Sequence, residues 1–138
     1  MNKKAIISVK SISDLDKKDT IEVVTPGEFI IKDSMLKAIY KESELSGMKG
    51  TLATISIYKD NFILERTGTT NTKMEFELDK TAISLYNTPY GVMDLQIHTE
   101  ELEINVDENG GDIRAKYAMG FSGQSPIVTE IWINIRVQ

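Results

Sequence analysis

Apolar and polar residues alternate along most of this chain with period two, the pattern of strands that bury one face and wet the other. In "KMEFELDK", Met74, Phe76 and Leu78 fall on one side, and Lys73, Glu75, Glu77 and Asp79 on the other. Ile113, Ala115, Tyr117, Met119 and Phe121 share a face, as do Ile131, Ile133, Ile135 and Val137 against Trp132, Asn134 and Arg136. Met93, Leu95, Ile97 and Thr99 keep one phase, whereas Leu102, Ile104 and Val106 keep the other. The slip across Glu100–Glu101 predicts a β-bulge.

Turn residues punctuate these runs. Pro26–Gly27 predicts a bulge or bend within "TIEVVTPGEFIIKD", and reversals are predicted at Asp33–Ser34, Lys59–Asn61, Thr88–Gly91 and the Asn109–Gly110 pair. "LSGMKG" reads as a loop, and no segment sustains a helical period. The chain is therefore predicted to be all-β. Residues 1–138 form one domain, a single antiparallel up-and-down barrel of roughly eight to ten strands, because closure leaves no sheet edge bare. A two-sheet sandwich satisfies the same alternation.

One residue breaks the pattern usefully. In "NFILERTG", Arg66 shares the apolar phase of Phe62 and Leu64. In "MLKAIYKESE", Leu36, Ala38 and Tyr40 share a phase with Glu42 and Glu44. A buried charge without a partner is costly, so an inward arginine and inward carboxylates predict an ion pair. Two readings follow. In one, Arg66, Glu42 and the Tyr40 hydroxyl are a structural pair at one end of the barrel. In the other, Arg66 presents its planar fork of donors to the carboxylate or phosphate of a small anionic ligand.

Composition narrows the rest. With no cysteine and one histidine, thiolate zinc sites, disulfides, a cysteine nucleophile and multi-histidine metal centres have nothing to draw on, and no metal site, cofactor or catalytic residue is assigned. His98 shares the polar phase of Asp94 and Gln96, as a solvated histidine would. Glu42 and Glu44 imitate an acid/base pair about 7 Å apart, a spacing that any acidic strand produces. The net charge of −5 and the lack of basic clusters speak against nucleic-acid binding. The opening "MNKKAIISVK" has too short an apolar run for an export signal, and no stretch is long enough for a membrane helix, so a cytoplasmic protein without a membrane partner is expected.

The ordered segments "YKESELSGMKGT", "RTG", "MEFEL", "LYNTPYG" and "HTEELEINVDENGGDIRAKYAM" resemble the YwiB-like family of small bacterial proteins across nearly the whole chain. The resemblance implies a calycin-like, lipocalin-type barrel in the cytoplasm and no assigned activity, so it transfers no catalytic residues. Lipocalins place a tryptophan near their start, whereas Trp132 lies near the end here. Fatty-acid-binding proteins insert a helical lid where this chain has only "SISDLDKKD". The expected function is binding of a small anionic ligand at a mouth formed by Tyr40, Glu42, Arg66, Thr88, Tyr90 and Tyr117. The alternative is a solid barrel that binds a protein partner, or a second copy of itself, through outward residues such as Trp132, Val128 and Tyr86.

Overall fold

The structure, a computed structural model, describes residues 2–13, 20–33, 35–42, 50–68, 71–88, 91–121 and 126–138, with the side chains of 85–88 and 121 excepted. Among these residues ten strands form one antiparallel sheet: β1 (Asn2–Ser13), β2 (Thr20–Lys32), β3 (Met35–Lys41), β4 (Thr51–Ile57), β5 (Asn61–Gly68), β6 (Thr72–Glu77), β7 (Thr81–Thr88), β8 (Gly91–Asp107), β9 (Gly110–Phe121) and β10 (Ile127–Val137). Neighbours in the sheet are neighbours in the chain, except that β1 pairs with β10 and no ladder joins β6 to β7. The result is a nearly closed up-and-down barrel.

Among the described residues the remaining seam is stitched where β6 leads into β7. Asp79, at φ 61°, turns the chain between β6 and β7. Its N–H donates to Thr99 O at 2.9 Å, and Thr99 N–H donates to Lys80 O at 3.2 Å. Leu78 and Thr99 form an isolated parallel bridge at the same place. Thr99 sits there because β8 slips register between Thr99 and Glu101, the bulge that the sequence phase predicts.

The inward phases fill the lumen. Phe62 stacks on Phe76 with ring centroids 4.5 Å apart, and Phe76 meets Tyr117 edge-on at 4.9 Å. Ile7, Phe29, Ile55, Leu95, Ile113 and Ile133 are fully buried around this stack. Most of the barrel interior is therefore a packed core.

The structure corrects several expectations. β2 pairs with β1 straight through Pro26–Gly27 without a register shift. Pro26 is tolerated because β3 pairs only with Gly27–Lys32, so the proline stands just beyond that ladder. Gly27 serves close packing: a Cβ there would fall 2.4 Å from Ile39 O and 2.5 Å from Ile7 Cδ1. Leu78 and Met93, placed inward by phase, are 47% and 45% exposed because Leu78 lies just past the end of β6 and Met93 near the start of β8, beyond the packed core. The β8–β9 reversal uses Glu108–Asn109, with positive φ of 98° at Gly110 and not at the asparagine. Trp132 is half-buried beneath Lys10, whose Nζ lies 5.9 Å from the ring centre. The segment contrasted with a helical lid lies mostly outside the described residues.

Candidate functional site

The local backbone explains why Arg66 stands where it does. β5 ends at Gly68, whose φ of 130° and whose approach to Gly50 leave no room for a side chain: a Cβ would lie 2.3 Å from Gly50 O. Asn71 then clamps the connection, accepting from Gly68 N–H at 3.2 Å and donating to Gly68 O at 3.0 Å. This fixes Arg66 opposite Thr72 on β6. On its other flank Arg66 pairs with Ala53, and Ala53 with Tyr40. The small alanine lets the arginine and tyrosine side chains meet above it. Glu42, one residue past β3, is held by its N–H donating to Thr51 O at 2.9 Å.

Arg66 Nε donates to Glu42 Oε1 at 3.3 Å, and Nη1 points at Met74 Sδ at 3.7 Å. The arginine side chain is 15% exposed and the glutamate 2%, so the ion pair is largely removed from water. Burial, and then the charge of Glu42, push the Tyr40 hydroxyl far above the ordinary tyrosine range, with Arg66 opposing. Burial likewise raises Tyr117, opposed by Arg66 and by a hydrogen bond with Thr129. A cavity of about 80 Å³ opens beside these groups and is lined by Tyr40, Glu42, Leu64, Arg66, Met74 and Tyr117 together with residues of β1, β2 and β10.

The pair is sparsely coordinated. A guanidinium carries five N–H donors. Among the described residues Glu42 takes one through a single oxygen, Tyr40 bonds to the group, and Met74 offers only a weak thioether acceptor. Such a site can accept an oxyanion or a small hydrogen-bonding group. Among the described residues no cluster of three or more His, Cys, Asp or Glu is arranged to hold a metal ion.

Of the residues expected at the mouth, the structure brings together Tyr40, Glu42, Arg66 and Tyr117. Thr88 closes β7 opposite Gly91, but its side chain, like the whole of Tyr90 and Glu44, lies outside the described residues. His98 is half-buried on the outer face, its Nδ1 hydrogen-bonded to Thr81 Oγ1 at 2.8 Å, away from the mouth. Sequence reasoning missed Thr72, whose buried hydroxyl has no hydrogen-bond partner among the described residues. Its only signal was a position in "GTTNT", which reads as a polar loop. Sequence reasoning also missed the outer Arg114 cluster, in which Glu130, Glu101 and Glu103 lie at 2.8, 3.3 and 4.0 Å.

Comparison with known proteins agrees with this architecture. The sequence pattern of a family described as "Domain of unknown function (DUF1934)" matches residues 6–133. The chain is 25% identical over 114 residues to the "Uncharacterized beta-barrel protein YwiB" of Bacillus subtilis (strain 168), covering 82% of this chain and 79% of that protein. The crystal structure of the ywiB protein from Bacillus subtilis superposes with a TM-score of 0.87 at 19% identity, covering 99% of this chain and 93% of that one. That likeness speaks for the barrel alone.

Proposed function

The chain belongs to the family described as a domain of unknown function, DUF1934, and on that premise we propose that it takes the charged head of a small anionic ligand into the mouth around Arg66. The observation that carries this reading is the donor surplus of Arg66 beside an opening: among the described residues, a largely buried guanidinium holds one carboxylate oxygen and faces a cavity. Size limits the ligand. An apolar cavity of about 150 Å³ accepts benzene, so one near 80 Å³ takes only a head group of a few heavy atoms. Tyr117, which lines this cavity, packs against the Phe62–Phe76 stack, so aromatic rings occupy interior space that an acyl chain would need, and the rest of the ligand would project through the mouth.

The test is thermal unfolding in sodium acetate and in sodium phosphate, each against sodium chloride at matched ionic strength, for the wild type and Arg66→Lys. A saturable rise in Tm with one of the two anions, lost in Arg66→Lys, is the expected result. Identical curves in all three salts would remove the proposal.

A second reading, an adaptor that binds protein through its outer wall, draws on a different surface from the one around Trp132. Ile83, Val92 and Met93 are exposed on the β7–β8 hairpin, beside a β7 edge without a ladder partner on β6. Sedimentation of the wild type beside Ile83→Lys tests the self-association form of this reading. A monomer at every concentration would remove it.

A further inference from the structure

We infer that the mouth is shaped for a 2-hydroxycarboxylate, with Ser11 reading the hydroxyl group while Arg66 holds the carboxylate. This rests on the anion-binding reading above. On β1 the inward phase runs Ala5, Ile7, Val9 and then Ser11, so a hydroxyl stands where the alternation calls for another apolar side chain. Its ladder partners, Ile21 on β2 and Ile131 on β10, are aliphatic, and all three residues line the cavity beside Arg66. Ser11 is half-buried, and its hydroxyl makes no hydrogen bond among the described residues.

The cavity thus has a polar group on each of two walls. β1 lies four strands from β5 in the sheet order, so Ser11 and Arg66 reach the cavity from different parts of the barrel wall. Its volume of about 80 Å³ equals that of two or three waters at about 30 Å³ each, so an occupant meets both groups at once.

Desolvation then sets the condition on the ligand. A molecule that fills the cavity removes the Ser11 hydroxyl from water. An alkyl carboxylate leaves that hydroxyl unpaired against Ile21 and Ile131, which weakens binding. A hydroxyl on the carbon next to the carboxylate restores the bond, because serine both donates and accepts. The carboxylate itself takes guanidinium N–H groups that Glu42 leaves unused. Phosphate fits less well. Arg66 and Glu42 cancel, so the ion pair offers no net positive charge to a dianion, and further oxygens would be set against the aliphatic wall.

Glycolate, acetate and inorganic phosphate are titrated at matched ionic strength into the wild type and Ser11→Ala, with binding followed by NMR shifts. The wild type should bind glycolate about tenfold more tightly than acetate, and phosphate least. Ser11→Ala should lose the preference for glycolate and keep the acetate Kd of the wild type. Glycolate and acetate bound equally by the wild type, or phosphate bound most tightly, overturns the inference and leaves the mouth reading standing. A glycolate preference that survives in Ser11→Ala overturns it too, by assigning the ligand hydroxyl to another group such as Glu42. An acetate Kd that rises in Ser11→Ala as much as the glycolate Kd also overturns it, because Ser11 then shapes the mouth without reading the hydroxyl. A wild type that binds none of the three removes this inference together with the reading beneath it.

Discussion

Two arginines, Arg66 on β5 and Arg114 on β9, anchor ion pairs in opposite settings. Arg114, on the outer wall, is the richer in partners: Nη2 lies 2.8 Å from Glu130, and Nη1 lies 3.3 Å from Glu101 and 4.0 Å from Glu103. Hydrogen bonding to Glu130, before all else, raises its already high pKa. Among the described residues Arg66 has one carboxylate, at 3.3 Å, yet this partner is 2% exposed where those of Arg114 are 31% to 66% exposed. The number of contacts and their weight run in opposite directions. Water and salt screen the outer cluster, while the inner pair sits where a stranded charge has no solvent to fall back on.

The largest effect that separates the two is therefore Arg66→Met. It should lower the urea-unfolding free energy by about 3–5 kcal/mol by leaving Glu42 buried and uncompensated. The double variant Arg66→Met/Glu42→Gln should recover most of that loss. A neutral Arg66→Met would break the contrast and detach the arginine from folding altogether.

Alkali offers a test of intermediate size. Tyr40 and Tyr117 both have folded-state pKa values raised by burial, so the fold favours their neutral forms. The corresponding stability is fully present below the unfolded tyrosine pKa near 10 and is lost as the pH rises above it toward the folded values. Chemical unfolding across this range should show stability falling above about pH 10, more gently in Tyr40→Phe. An equally steep fall in that variant would place the titration elsewhere, at odds with the desolvated mouth.

The smallest effect is expected at the surface. Arg114→Met should give a slight loss at low salt that disappears at high salt, measured by urea midpoints. A loss that persists at high salt would mean that the outer cluster behaves as a buried one.

How much of this was legible depended on whether a feature alters the two-residue alternation. Arg66 was legible because a charge in the phase of Phe62 and Leu64 is an anomaly with one physical remedy, and Glu42 supplied it. The bulge after Thr99 was legible because it shifts the phase. Leu78 and Met93 misled because alternation continues past the point where the core stops. Pro26–Gly27 misled because composition shows a missing N–H but not which side of the strand lacks a neighbour. The seam between β6 and β7, and the buried Thr72 hydroxyl that has no partner among the described residues, were invisible, since pairing partners and hydrogen bonds leave no periodic trace.

The pairing of β1 with β10 has a further consequence, in folding kinetics. Ala5 lies opposite Val137, a separation of 137 − 5 = 132 residues, so this ladder closes a loop that spans nearly the whole chain. Closing it costs about 4 kcal/mol of chain entropy from the logarithmic term alone, before any of its contacts are gained. The remaining ladders of the barrel are hairpins between consecutive strands and can form locally. During synthesis, β1 and β2 can pair early, but the β10-facing edge of β1 stays bare until residues through Val137 have been made. The nascent barrel thus carries an open strand edge for most of its synthesis, the interval in which mispairing with other chains competes with closure.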